Sequence, residues 1–241
     1  MKPGPDSIFD IFMKLLENVP ITLLVTLLSA VVAFFLGIAV TAVRIKRVKL
    51  LYPLVSVYIS FSRGTPILIQ LFVIYYGSPL LFKLFGIDIN GWSQIVFAVM
   101  TLVFHNAAIF SEIARPAYLA VDKGQHDAAD SIGMTGAQKV FRIIFPQVVP
   151  IALPSVGNLI IDLIKDTAIL FTIGVVDLMG RAKLIIANNY GIGKVSVYIV
   201  VALMYWFISA IAEHGVRLIE KRNKKYKFAS GLALGREDHD V

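Results

Sequence analysis

KGQHDAADSIGMTGAQKVFRIIFPQ, residues 123–147, is the most polar long stretch in the middle of an otherwise apolar chain. Four of its residues recur at the i, i+3, i+4 and i+7 positions that form one face of a helix, namely Gln125, Ala128, Ala129 and Ile132. Gly133 follows where a helix commonly ends in a left-handed residue. The pattern predicts a short helix with small side chains on one face.

A second helix is predicted directly after this glycine. Thr135 and Gln138 have the spacing of a capping box, in which each side chain bonds to the backbone of the other residue. An apolar stripe at helical spacing follows, and Pro146 is expected to mark a bend before the next apolar segment. The stretch is therefore expected to form helix, glycine turn and helix.

The composition on either side of this stretch is that of a membrane protein. The chain has 241 residues, of which 57% are hydrophobic and 16% are charged, and a mean hydropathy of +0.77. Soluble domains have about 45–50% apolar and 25% charged residues. The chain contains no cysteine, which excludes disulfides and cysteine-based metal sites. Its net charge of +7 is better explained by basic cytoplasmic loops than by nucleic-acid binding.

Five stretches are apolar over about the 20 residues that a helix needs to cross a bilayer. An N-terminal amphipathic helix is predicted before them from the spacing of Ile8, Ile11 and Leu15, although this segment could instead extend the first span. The fold class is therefore all-α and polytopic, and a strand alternation typical of a barrel is not seen. The predicted spans run approximately over Ile21–Val43, Leu54–Tyr76, Ile95–Ile113, Ile151–Val176 and Val195–Ala212.

The distribution of Lys and Arg predicts the orientation. Three segments fall on the same side of the membrane if the chain has five spans, namely RIKRVK (residues 44–49), the loop 123–147 and the basic segment 217–227. The positive-inside rule makes this side cytoplasmic and places the N-terminus outside. The external segment 174–193 is expected to contain a short surface helix within residues 177–189.

Three charged residues interrupt the fourth predicted span. Asp162, Lys165 and Asp166 lie at i, i+3 and i+4, on one helix face, with a net negative charge. Charges within a membrane span are costly, so they indicate a functional site, and this face could receive the ammonium group of an amino acid. The alternative is a structural pair of Asp162 with Lys165. Asn158 is a further candidate for lining the path, unless it serves only tight packing.

Arg63 is the charged residue of the second predicted span, and it precedes Gly64-Thr65-Pro66. Glycine and proline there predict a helix break that frees backbone groups near a cavity. Arg63 could bind a substrate carboxylate. Snorkelling, or a structural pair with an acid such as Glu112, explains it equally well.

The chain is not expected to be an enzyme. YGIGKVS, residues 190–196, fails as a phosphate-binding loop because Asn188 stands at the first glycine position and Val195 follows Lys194. The sequence also lacks a His/Asp/Glu metal cluster and a G-x-S-x-G motif, so neither catalytic nor metal-binding residues are predicted. A transporter would then need ATP hydrolysis by a partner, or an ion gradient.

The segment Asp127-Ala128-Ala129, followed at the required spacing by Gly133 and Phe145-Pro146, resembles the EAA loop of ABC importer permeases. The family pattern is E-A-A, three residues, Gly, nine residues and I-x-L-P; Asp127 replaces Glu, and Phe145 replaces Leu. Three further segments resemble the polar amino acid branch of these permeases, namely residues 61–77, 111–125 and 153–169. The resemblance extends over approximately Leu15 to Lys225.

This resemblance implies a type I ABC importer transmembrane fold, with one domain over residues 1–225 and a flexible cytoplasmic tail over 226–241. Residues 123–147 would carry the coupling helix that docks on a separate ATPase subunit. Gly133 would permit the turn there, and Lys165-Asp166-Thr167 resembles a family segment that favours Asp166 as a substrate contact. The implied docking residues are Gln125, Asp127, Ala128, Ala129, Ile132 and Gly133.

The implied assembly has two ABC ATPase subunits, which use ATP and Mg, and a second permease subunit that is identical or paralogous. An extracytoplasmic binding protein would deliver arginine, histidine, glutamine or cystine, and this chain itself would hold no cofactor. The expected location is the bacterial cytoplasmic membrane, in contact with its lipid and without nucleic acid. The main alternative is a stand-alone ion-coupled transporter or channel, and a membrane enzyme is a third.

Overall fold

The computed structural model describes the chain over residues 7–234, with side chains described as far as residue 222. This part of the chain is helical and contains no strand. Two π-helical segments, Val73–Gly77 and Val140–Ile144, and a 3-10 segment, Thr167–Ile173, connect some of the helices. The α-helices are α1 Ile8–Leu16, α2 Val19–Lys46, α3 Leu51–Gly64, α4 Ile67–Phe72, α5 Ser78–Leu84, α6 Gln94–Leu119, α7 Lys123–Ser131, α8 Gly136–Lys139, α9 Phe145–Asp166, α10 Leu178–Asn188 and α11 Lys194–Leu234.

Five helical stretches within the described residues are long and apolar enough to cross a membrane, as the sequence predicted. Much of their apolar surface faces outward, as expected for helices that contact lipid or a partner instead of water. The stretches are Ile8–Lys46, Ile67–Leu84, Gln94–Leu119, Gly136–Ile173 and Lys194–Arg222.

The second span does not have its predicted bounds. The predicted span, Leu54–Tyr76, straddles a break between α3 and α4, where Thr65 is extended and Pro66 has a ψ of 137°. The apolar stretch long enough to cross a membrane is instead Ile67–Leu84. The break itself was predicted, and it occurs because Pro66 disfavours a helical conformation at Thr65. Hydropathy alone could not separate the two helices, because both are apolar.

The N-terminal helix α1 is separate from α2, as predicted. Ser7 and Asp10 form a capping box at its start, and its apolar face buries Ile11 and Leu15. These two side chains pack in one cluster with residues of α10 and α11. The amphipathic helix therefore covers protein with one side, while Ile8, at the N-terminal end of the same stripe, remains exposed. The predicted short helix after the fourth span is confirmed as α10.

The centre of the bundle is formed by α2 and α6, which pack closely along their lengths. Gly37 makes this approach possible, because a Cβ there would lie 2.5 Å from Cδ1 of Phe110. Polar groups on α6 bond within the bundle: His105 Nδ1 lies 3.3 Å from Gln70 Oε1 of α4, and Asn106 donates to the Leu102 carbonyl. His105 therefore joins α6 to α4.

The C-terminal helix is longer than the sequence indicated. The fifth span was expected to end near Ala212 and to be followed by a separate tail from residue 226, yet α11 extends to Leu234. The boundary at residue 225 therefore falls inside a helix. The remaining residues of the predicted tail, 235–241, lie outside the described residues.

Candidate functional site

The polar stretch 123–147 forms the predicted helix, turn and helix. Helix α7 ends in a Schellman motif, in which Met134 N–H donates to the Ala129 carbonyl at 3.1 Å and Gly133 N–H donates to the Asp130 carbonyl at 3.0 Å. Gly133 has a φ of +73°, which favours glycine. The glycine turn predicted from the sequence is confirmed.

The second half of the stretch is fixed by two further contacts. Thr135 and Gln138 make the predicted capping box, with backbone-to-side-chain distances of 2.9 and 3.3 Å. Lys139 Nζ lies 2.7 Å from Asp130 Oδ1, so α8 is joined to α7 by an ion pair. The two short helices therefore form one local unit ahead of the π segment that leads into α9.

The predicted docking residues divide between two sides of α7. Gln125, Asp127 and Ala128 are exposed, and Ile132 has 72% of its surface accessible, which is unusual for an isoleucine. Ala129 is instead 2% exposed and packs within the chain. The sequence pattern placed both alanines on one face, but a helix only nine residues long offers too few positions to distinguish the two sides of a stripe.

The charged residues of the fourth span lie together at the C-terminal end of α9. Lys165 Nζ lies 2.9 Å from Asp162 Oδ1, and these two side chains are 55% and 64% exposed. Asp166 is half-buried on the next position of the same face, and Asn158 is exposed one turn before Asp162. The pairing of Asp162 with Lys165 leaves the carboxylate of Asp166 as the excess negative charge of this cluster.

Arg63 is placed at a three-residue ion-pair cluster and not beside the charges of α9. Its guanidinium pairs with Glu112 Oε2, while Arg44 Nη1 lies 2.7 Å from Glu112 Oε1. Arg44 also donates to the Ser111 hydroxyl at 3.0 Å. Glu112 thus ties the end of α2 and the end of α3 to α6, just before the break at Thr65. Arg63 therefore pairs with Glu112, which is one of the alternatives that the sequence left open.

Arg44 was not singled out from the sequence, where it read as one of four basic residues in a loop. The only signal that could have identified it is its position as the first basic residue after the apolar span, where its long side chain can reach back to a neighbouring helix.

A buried polar cluster at the start of α10 was also not predicted from the sequence. Asp177 caps α10 by accepting the Gly180 N–H at 2.8 Å and accepts the Tyr205 hydroxyl at 3.3 Å. Thr22 of α2 accepts the Leu178 N–H at 3.0 Å beside it. Burial raises the pKa of the Asp177 carboxyl above its usual range. The sequence signal was an Asp directly before a helical segment, which is typical of an N-cap.

The side chains described do not assemble a metal site. No group of three or more His, Cys, Asp or Glu within them is placed to hold a metal ion. The exposed groups are instead suited to binding. One candidate surface is the exposed helix face with small residues before the start of α9, and the other is the net negative cluster at its end.

Comparison with known proteins agrees with this architecture. Residues 33–225 match the family described as binding-protein-dependent transport system inner membrane component. The chain is 41% identical over 221 residues to the L-cystine transport system permease protein TcyL of Bacillus subtilis, covering 91% of both chains. It is 36% identical over 200 residues to the probable amino-acid permease protein YxeN of the same species, covering 83% of this chain and 87% of the relative.

A solved structure supports the same similarity in three dimensions. The fold superposes on a crystal structure of an amino acid ABC transporter with histidines, with a TM-score of 0.77 and 30% sequence identity. The superposition covers 92% of this chain and all of the chain compared.

Proposed function

The chain belongs to the family of binding-protein-dependent transport system inner membrane components, and from this premise we propose how it moves a polar amino acid. It is a multi-pass permease subunit of an amino acid ABC importer, with the type I transmembrane fold. The proposed substrate is of the arginine, histidine, glutamine or cystine type, because a relative 41% identical over most of the chain is a cystine permease. The route would alternate its access between the two sides of the membrane.

The energy would come from two ABC ATPase subunits that use ATP and Mg. A second permease subunit, identical or paralogous, would complete the pathway, and an extracytoplasmic binding protein would deliver the substrate. The proposed orientation places α7 and the ends of α2 and α11 in the cytoplasm, where the basic residues 44–49 favour the inner side. The N-terminus would lie outside.

The observation that carries this proposal is the exposed face of α7 on a rigidly closed turn. Gln125, Asp127, Ala128 and Ile132 offer a surface with little side-chain bulk at its centre, which allows another protein to approach closely. The Schellman motif at Gly133 and the Lys139–Asp130 ion pair hold this surface in place. Ala129 would contribute by anchoring the helix to its own chain.

The substrate would be recognised at the other end of α9. The excess negative charge of Asp166 would attract the ammonium group of an amino acid, and Asp162 with Lys165 would present a paired charge for a second polar group. Asn158 would add a hydrogen-bonding amide along the path. Arg63 retains one exposed side and would meet a substrate carboxylate only if its pair with Glu112 is released.

The coupling proposal can be tested by reconstituting the chain with its ATPase and permease partners in liposomes. Ala128→Trp should abolish docking of the ATPase and lower ATP-driven uptake at least tenfold, because the indole prevents close approach. Ala137→Trp is the matched control, since Ala137 is also exposed in the same loop but lies on α8. Equal uptake by the two variants, or wild-type uptake without ATP, would overturn the proposal in favour of an ion-coupled transporter.

A second experiment tests the substrate contact separately. Asp166→Asn should reduce uptake of every amino acid, and of arginine more than of glutamine, because it removes the excess charge that attracts both the ammonium group they share and the cationic side chain of arginine. Asp88→Asn, which changes a carboxylate in the exposed segment between α5 and α6, is the control. A variant Asp166→Asn with unchanged uptake of every amino acid would show that this cluster is structural.

A further inference from the structure

An apolar groove lies where α2, α6 and α9 meet, at the end of α2 that carries the basic residues. Its volume is about 590 Å³, within the range of sites that hold a drug-sized ligand. Phe34 and Ile38 of α2, Phe110 of α6 and Val156 of α9 line one end of the groove, and Tyr118 and Lys46 lie toward the other end. None of the substrate-site or docking residues discussed above lines it.

The groove has the length of one leaflet of a bilayer. Its wall on α2 runs from Phe34 to Lys46, a rise of about 18 Å at 1.5 Å per residue. Half of the hydrocarbon core is about 15 Å thick. Because Lys46 ends α2, the other end of the groove at Phe34 lies near the middle of the membrane. An acyl chain that enters beside Lys46 would fill the groove without crossing into the opposite leaflet.

The charge of the groove also fits a particular ligand. Lys46 is the charged residue among its lining side chains, and no carboxylate lines it. Within the described residues, no acid lies at ion-pair distance from Lys46, and Arg47 follows it in the exposed loop. We propose that this groove binds the acyl chain of an anionic phospholipid of the cytoplasmic leaflet, with its phosphate at Lys46. The proposal rests on the orientation given above.

A lipid fits the groove better than a second copy of the chain. An apolar protein surface packed here would desolvate Lys46, which costs free energy unless that surface also brings an acid to it. The phosphate of a lipid supplies the opposite charge at the same depth, where anionic lipids attract basic side chains.

The position of the groove links the lipid to the coupling loop. Ile144 is 1% exposed and lines the groove together with Val140, and both belong to the π segment that joins the loop to α9. The bound acyl chain would therefore fill the space between the end of α2 and the start of α9. Its loss would leave this junction poorly packed.

The test is native mass spectrometry of the complete transporter, transferred into bilayers of phosphatidylglycerol diluted in phosphatidylcholine. Lys46→Glu should lose one retained phosphatidylglycerol per copy of this chain, and Ala152→Trp, which fills the groove, should lose the same lipid. Lys49→Glu and Leu27→Trp are the matched controls, because Lys49 does not line the groove and Leu27 is exposed on another part of α2. Both controls should keep the wild-type number of lipids.

Two results would overturn the proposal. One is an unchanged count of phosphatidylglycerol in Lys46→Glu, which stands at an exposed helix end and should fold normally. The other is a cross-link between two copies through Val149→Cys, a single thiol in a chain that has no cysteine, which would make the groove a chain-to-chain interface. Neither result depends on ATP-driven uptake, so a failure of the lipid site and a failure of the proposed function are distinguishable.

Discussion

Replacement of Gly133 by alanine should loosen α7 without bringing any atom into contact with a neighbour. A Cβ at this position would find no heavy atom within 4 Å, so a steric clash is excluded. The cost comes from the backbone alone, because a φ of +73° is left-handed and a non-glycine residue pays about 1–2 kcal/mol there. This energy corresponds to a factor of roughly 5–30 in the local opening equilibrium.

Hydrogen exchange of the α7 amides measures this equilibrium directly. The amide of Ile132, which donates to the Ala128 carbonyl, and the amide of Met134, which donates to Ala129, should exchange about 5–30 times faster in Gly133→Ala. The global unfolding temperature should change little, because α7 is a surface helix of the loop. ATP-driven uptake should fall in parallel, since the docking surface would be ordered for a smaller fraction of the time.

Gly136→Ala is the matched control for this prediction. Gly136 lies three residues away in the same loop, also has open space around its Cβ position, and occupies the first turn of α8 with ordinary helical geometry. Alanine should be neutral or stabilising there by about 0.5–1 kcal/mol. The reasoning is refuted if Gly133→Ala exchanges at the wild-type rate, or if the two variants accelerate exchange equally.

Two further predictions concern the packing and the buried charge of the bundle. Gly157→Ala should destabilise the chain by about 1–3 kcal/mol, because its Cβ would clash with the Val216 side chain. Gly215→Ala, which has open space around its Cβ position, should leave the stability unchanged. Thermal unfolding of both variants in the same detergent tests this difference. Because burial raises the pKa of the Asp177 carboxyl, its stabilising effect is full below the unfolded pKa and is lost as the pH rises through the folded value. Asp177→Asn should therefore flatten the pH dependence of the unfolding temperature, and an unchanged slope would contradict this.

The sequence predicted those features that follow from local chemistry. The number of spans was predicted from hydropathy. The end of α7 was predicted from Gly133, and the start of α8 from the capping box of Thr135 and Gln138. Each depends on residues close together in the chain, which is why no tertiary information was needed. The break before α4 was likewise predicted from Pro66, although the bounds of the span that follows it were not.

The features that the sequence did not predict depend on residues distant in the chain. Glu112 contacts Arg44, 68 positions away, which the sequence did not suggest, because no local pattern specifies which basic residues an acid will meet. Its pair with Arg63, 49 positions away, was offered by the sequence only as one alternative. Ala129 was placed with Ala128 because spacing defines a face but not which neighbour that face meets. Tertiary packing decided that Ala129 is buried and Ala128 exposed.

The two candidate sites are connected by a single element. Helix α9 has 22 residues and spans about 33 Å, which is close to the thickness of the hydrocarbon core. The chain passes from α7 and α8 through the π segment Val140–Ile144 into Phe145, the first residue of α9, and the last turns of α9 carry Asp162 and Asp166. A displacement of α7 is therefore applied to one end of the helix whose other end holds the charge cluster. Because π turns within helices are often found at functional points, the wide turn at this junction is where we expect α9 to change its angle while the loop keeps its shape.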